Sequence, residues 1–186
     1  RGLEHEQKLG INPFKFGLIG SSDAHNSLPF VEEDNFFGKF PGQEPSPDRW
    51  KQKSSLGEGE GDARVTWQYL AAGYAAVWAT ENTREAVFDA MQRRETYGTS
   101  GTRLTVRFFG GYDFTPEDAQ SRYLAAAGYS RGVPMGGNLK PAAPGKVPTF
   151  LVAALKDPQG ANLDRIQVVK GWLDASGKAQ EKVYDV

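Results

Sequence analysis

The sequence predicts an α/β fold over its first half and antiparallel sheet over its second, and three observations carry that reading. The run Phe14 to Ile19 is almost continuously apolar and stops at Gly20-Ser21-Ser22, the pattern of a strand covered on both faces in a parallel sheet. Further on, an apolar run at Tyr74 to Ala79 leads through a cap-like Asn82 into a helical repeat, and a new strand follows at Leu104. Strand, helix, strand in that order outlines a βαβ unit. After Gly110-Gly111 the helical period gives way to short β-type runs separated by turns, which predicts an antiparallel extension. The change falls between about 104 and 115, giving an expected division into 1–110 and 111–186.

Composition sets the outer limits. With 186 residues, 39% of them hydrophobic, the chain can bury a core. Its 22 glycines and 11 prolines assign much of that length to loops. Lys plus Arg (22) nearly cancel Asp plus Glu (23), and a net charge of −1 gives no electrostatic reason to expect a nucleic acid or an anionic membrane as partner. No cysteine is present, which excludes disulfides, thiolate nucleophiles and Cys-type zinc sites, and leaves cytoplasmic and exported locations equally open. The longest apolar run, Leu70 to Ala79, is far shorter than the roughly 20 residues of a spanning helix. The chain starts at Arg1 and its first residues read as the end of a helix, so it is expected to be a piece of a longer protein.

In chain order, Gly2 to Leu9 reads as a short helix stopped by Gly10, with His5 on its solvated side. Asn12-Pro13 turns the chain into the strand at 14–19. Residues 27–62 carry Pro29, Pro41, Pro45 and Pro47 among Phe30, Phe36, Phe37, Phe40 and Trp50. That aromatic content favours an ordered excursion over a disordered linker. The run Gly57 to Asp62 (GEGEGD) lacks the spacing of a calcium loop and reads as an acidic turn. Residues 64–72 look helical, and Tyr74 to Ala79 reads as a buried strand. Asn82 with Glu85 three residues later resembles a capping box that opens a helix from Thr83 to Arg94. Ala86, Val87, Ala90 and Met91 lie on its apolar face, with Arg93 and Arg94 in its last turn. Tyr97 to Arg103 is a turn, and Leu104 to Phe109 a strand. Thr115 caps a helix from Pro116 to Ala127, with Asp118 as its partner. Residues 128–148, including Gly132 to Gly137 (GVPMGG), read as irregular turns. The strands Thr149 to Leu155, Asp164 to Asp174 and Glu181 to Val186 close the chain.

The candidate chemistry centres on Asp23 and His25, in Gly20-Ser21-Ser22-Asp23-Ala24-His25-Asn26. On extended backbone these two side chains would share one face at the carboxyl end of a strand, and a carboxylate beside an imidazole suits a divalent metal. The same pattern also serves as an ordinary turn, with Asp23 capping a backbone amide. Glu81 sits where a catalytic acid at a strand end would sit, and equally where a helix dipole favours an acid. Ser100 and Gly101 lie in a small-residue turn whose amides could cradle a phosphate, without the lysine of a P-loop.

Four blocks in this order carry a family resemblance. They are NPFKFGLIGSSDAHN (12–26), ATENTREAVFDAMQRRETYGTSGTR (79–103), GVPMGG (132–137) and LKDPQGANLDRIQVVKGW (155–172). The first resembles the closing metal motif of the PHP (polymerase and histidinol phosphatase) superfamily of metal-dependent phosphoesterases. Together the four look like an uncharacterised bacterial PHP-like family whose members carry the label domain of unknown function. The resemblance implies the last strands and helices of a distorted β/α barrel over 1–110, with divalent Mn, Zn or Fe held in the complete protein partly by Asp23 and His25. Arg94, or a backbone amide near Ser100, is a candidate substrate contact in the complete protein, although nothing in the spacing shows it. The superfamily's early His-x-His has no counterpart here, since the chain has two histidines in all, His5 and His25. The implied partner is therefore an upstream barrel segment of the same protein, without which the chain would be inactive.

Two functions follow as expectations. One is a fragment of a metal-dependent hydrolase of phosphoesterase type. The alternative is a non-catalytic binding or scaffold module recognising a carbohydrate or a partner protein, with Trp172 and Tyr184 as stacking candidates. A serine hydrolase fits poorly, because Ser21 and Ser22 lie too near His25 in sequence for converging geometry.

Overall fold

The computed structural model describes residues 1–27, 37–42, 44–53, 64–69 and 73–186. The acidic run 57–62, Phe30 and Phe36 of the excursion and the end of the helix expected at 64–72 lie outside the described residues. The contacts divide the chain into two units. The first holds Arg1–Leu18, Trp78–Thr96 and Leu104–Val186; the second holds Ile19–Val77 and Tyr97–Arg103. The described elements are mixed helices and antiparallel sheets, β-rich towards the C terminus, in three small sheets with no closed barrel among them.

In the first unit, α1 (Gly2–Leu9) ends as its sequence dictates. Gly10 takes a left-handed φ of +73° and its amide donates to Glu6 O, a conformation that glycine adopts without steric cost. The core is built on β3 (Thr105–Gly111), paired antiparallel with both β4 (Gly132–Pro134) and β5 (Thr149–Leu155). Register sets Phe109 opposite Leu151, and both pack with Leu124 of α4 (Leu124–Arg131). Burying Phe109, 1% exposed, stabilises the sheet–helix contact by roughly 2–3 kcal/mol. Gly128 lets α4 lie on that ring: a Cβ there would meet Phe109 Cδ2 at 2.5 Å. The opposite face of the sheet stacks Phe108 on Phe150, centroids 5.4 Å apart. The hairpin of β6 (Gln167–Leu173) and β7 (Ala179–Asp185) completes the unit. Its turn is fixed by Asp174, which accepts from the amides of Ser176 and Lys178.

Several expectations need correction. The helix expected at Pro116 to Ala127 is two helices, α3 (Pro116–Gln120) and α4, because Ser121 is extended at ψ 138° and its hydroxyl accepts from Tyr123 N. The Thr115–Asp118 capping box is present as expected. The region expected to be irregular holds the end of α4 and β4, so GVPMGG opens as a strand and turns only at Gly136, φ +79°. Helix α2 (Arg84–Gln92) is capped by Thr83, whose Oγ1 accepts from Ala86 N at 3.3 Å, and not by Asn82. Arg93 and Arg94 fall beyond its end, Arg94 at a left-handed φ of +61°. Of the expected apolar face Ala86 and Ala90 are buried, whereas Met91 is exposed.

The βαβ outline changes as well. Strands β1 (Ala75–Val77) and β2 (Thr96–Gly98) are neighbours in one sheet, so Tyr97 and Gly98 are strand rather than turn. Thr99 N donates to Tyr74 O at 3.1 Å, and Trp78 N donates to Glu95 O at 3.0 Å. Moving up one strand moves down the other, so the pair is antiparallel and α2 is the connection of a wide hairpin. The run 14–19 forms no strand and joins no sheet, and Phe14 lies in a turn. Arg94 Nη1 donates to Lys15 O at 2.9 Å and Thr96 Oγ1 to Leu18 O at 3.3 Å, so side chains replace a backbone ladder. Phe14, Phe16 and Leu18 are 50%, 60% and 70% exposed, against the expectation of a strand covered on both faces. In the second unit, the described part of the helix expected at 64–72 is a single 3₁₀ turn, Thr66–Gln68.

Candidate functional site

Asp23 and His25 stand on a turn of the second unit rather than on a strand. Asp23 has a left-handed φ of +51°, so alternation along extended backbone does not describe how the two are aligned. The turn is tied instead by local bonds. Ala24 N donates to Ser22 Oγ at 3.3 Å, and His25 Nδ1 lies 2.9 Å from Asp23 O. A carbonyl oxygen can only accept, so Nδ1 carries the proton and the lone pair of the neutral ring is on Nε2. That is the arrangement in which a second-shell carbonyl presents imidazole as a metal ligand.

A neighbouring loop closes on this turn from the protein side. His25 N donates to Lys39 O at 2.9 Å, and Asn26 Nδ2 to Gly38 O at 2.6 Å. The Lys39 ammonium bonds the Asp23 backbone oxygen and lies 2.5 Å from Asp23 Oδ2. Exposure is lopsided across this pair: the Lys39 side chain is 11% exposed and the Asp23 side chain 73%. The hydrogen bond from Lys39, reinforced by its charge, holds the Asp23 carboxyl below the usual carboxylate range. Behind Lys39, the buried Glu44 accepts from Lys39 N and pairs through Oε1 with Arg49 Nε at 2.8 Å. Arg49 reaches on to Tyr69 O at 2.6 Å. The His25 ring lies 5.1 Å from that of Phe40.

As a metal site this donor set is partial. Among the described residues, no group of three or more His, Cys, Asp or Glu could hold an ion, and two donors do not fill a four- to six-coordinate shell. What is present fits one edge of such a site: an ionised, exposed carboxylate and an imidazole with its Nε2 lone pair available.

The remaining candidates are dispersed. Ser100 and Gly101 belong to the second unit, in a turn where Ser100 is exposed and Gly101 has φ +107°. Glu81 and Arg94 belong to the first. Glu81 is exposed and takes a long 3.4 Å hydrogen bond from Thr83 Oγ1, and the Arg94 guanidinium is engaged with Lys15 O. Sequence reasoning missed Lys39, whose only signal was a cation set between aromatics in Phe37-Gly38-Lys39-Phe40. It also missed Glu95 in the first unit, 3% exposed. The Tyr129 hydroxyl donates to Glu95 Oε1, and Arg93 Nη2 lies 3.5 Å from Oε2. Arg107 donates to Tyr129 Oη at 2.9 Å and stacks over Trp78, 3.1 Å from its centroid. Burial, then the bond to Glu95, pushes the Tyr129 hydroxyl above its usual range.

These features define a mixed α/β protein of two units, with a two-donor polar turn at Asp23 and His25. Its family follows from comparison: the model for "Protein of unknown function (DUF3604)" matches residues 1–186, and the chain belongs to that family. No curated protein and no solved structure matches it.

Proposed function

We propose that this chain is the closing part of a metal-dependent hydrolase of phosphoesterase type, in which Asp23 and His25 are two of the metal ligands. The reading takes 1–110 as the end of a PHP-like barrel and 111–186 as its β-rich extension. An upstream segment of the same protein supplies the other ligands. The observation that carries it is the His25 Nδ1 bond to Asp23 O, which leaves Nε2 as the donor beside an exposed carboxylate. A bound Mn, Zn or Fe ion would supply Lewis acidity and a water ionised near neutral pH. The work of this chain is to hold Asp23 ionised, to fix the tautomer of His25, and to keep both on the solvent side of the turn. Asp23→Ala and His25→Ala in the full-length protein are each expected to lower bound metal per chain, measured by inductively coupled plasma mass spectrometry. Unchanged stoichiometry in both variants would sink the reading.

A second reading, the binding module, draws on the hairpin. Tyr184 lines an apolar groove of about 680 Å³ with Phe108, Phe150, Val152 and Val168, and lysine ammonium groups lie over Trp172 and Tyr184 at 5.1 and 4.9 Å. Glycan binding that is lost in Trp172→Ala or Tyr184→Ala while metal content stays normal would favour it.

A further inference from the structure

The cation nearest the Asp23–His25 turn approaches it from inside the protein. The Lys39 ammonium bonds two atoms of Asp23. One is Oδ2 of the carboxylate; the other is the backbone oxygen that also receives the His25 Nδ1 proton. Its residue is 9% exposed, whereas the Asp23 side chain is 73% exposed. The bond to Oδ2 leaves Oδ1 for an ion arriving from solvent. The position of Lys39 itself is set without its ammonium, by the bonds of its N to Glu44 and of its O to His25 N. Glu44 is in turn held by Arg49 at 2.8 Å.

We propose that Lys39 is a positioning residue that presets Asp23 and His25 as one ligand edge, fixing the carboxylate directly and the imidazole through the Asp23 carbonyl. This rests on the reading of Asp23 and His25 as metal ligands. A flexible exposed carboxylate and a freely rotating imidazole would lose side-chain entropy when an ion binds; a turn already pinned by Lys39 loses less. Arginine at 39 would keep a positive donor for both oxygens, whereas methionine would keep only the length of the side chain.

The test uses the full-length protein with Mn²⁺ as the probe. Lys39→Met should weaken Mn²⁺ binding by about tenfold, and Lys39→Arg should recover most of that loss. In the metal-free Lys39→Met protein, His25 should also become a mixture of Nδ1–H and Nε2–H tautomers in long-range ¹H–¹⁵N spectra. A role in stability alone would not move that population. Where Lys39→Met does not fold, the unmodified protein decides: reductive methylation of Lys39 should stay equally slow at saturating Mn²⁺. Tighter Mn²⁺ binding in Lys39→Met, or faster labelling of Lys39 with Mn²⁺ present, overturns the proposal and makes Lys39 a competitor of the metal. Weakened binding in Asp23→Ala but not in Lys39→Met rejects the positioning role alone. Unchanged binding in Asp23→Ala and His25→Ala removes the metal reading beneath it.

Discussion

Two ionic clusters, one in each unit, are built with opposite polarity. At the Asp23 turn the cation is inside and the acid outside: Lys39 is 11% and Asp23 73% exposed at the side chain. At Glu95 the acid is inside and the cation outside, with side-chain exposures of 4% for Glu95 and 48% for Arg93. A buried group keeps its charge only when its partners are fixed around it. The buried Glu95 carboxylate is therefore occupied by the Tyr129 hydroxyl and by the exposed Arg93, and does not face solvent. The Asp23 turn does the reverse and leaves its acid and imidazole exposed. Ion pairs similar in kind thus face the interior in one unit and present an acid to solvent in the other.

Removing the support behind each cluster gives the sharpest contrast. Glu44, 4% exposed, anchors both the Lys39 backbone and Arg49. Glu44→Ala should destabilise the second unit by about 1–3 kcal/mol, the cost of leaving the buried Lys39 amide without its acceptor while Arg49 keeps its bond to Tyr69 O. Hydrogen exchange at the Lys39 amide should accelerate accordingly. A loss below about 1 kcal/mol would mean that this loop is not what holds the turn. In the first unit, Tyr129→Phe takes one donor from the buried Glu95 carboxylate and should cost about 1–3 kcal/mol in urea denaturation. It should leave metal binding unchanged, which is the difference between the two clusters in a single variant.

The smallest effect belongs to a third acid, at the tip of the β6–β7 hairpin. Asp174 accepts from the hydroxyl of Ser176, the amide of Lys178 and the side chain of Gln180, which lower its pKa from 3.8 to about 2. An acid lowered on folding stabilises the folded state above its unfolded pKa and loses that contribution as pH falls through the folded value. The hairpin should therefore weaken between about pH 4 and pH 2, and Asp174→Asn should flatten that dependence in amide chemical shifts of β6 and β7. An unchanged profile in the variant would assign the acid sensitivity elsewhere.

Signals carried by adjacent residues are legible in the sequence. Gly10 ended α1, the Thr115–Asp118 box opened α3, and β5 occupies the residues its apolar run marked. Misreadings arose where partners are distant or geometry is unusual. The apolar character of 14–19 signals burial, but most of those side chains are exposed. Strand direction in β1–β2 depends on backbone bonds across α2, to which the one-dimensional pattern is blind. Asp-x-His was visible as a motif, yet the left-handed Asp23 makes it a turn and not an alternating pair. Lys39 was invisible because its two bonds to Asp23 span 16 residues, and no propensity or periodicity encodes such a contact.

The most direct measurement is long-range ¹H–¹⁵N NMR of the histidine rings as Zn²⁺ is added to the full-length protein. Single substitutions of His5 and His25, the two histidines of this chain, assign their signals among those of the full-length protein. The account predicts that metal-free His25 is the Nδ1–H tautomer, that Zn²⁺ shifts its Nε2 resonance while Nδ1 keeps its proton, and that His5 does not respond. A His25 ring that is Nε2-protonated before addition, or unmoved at saturating Zn²⁺, would contradict it.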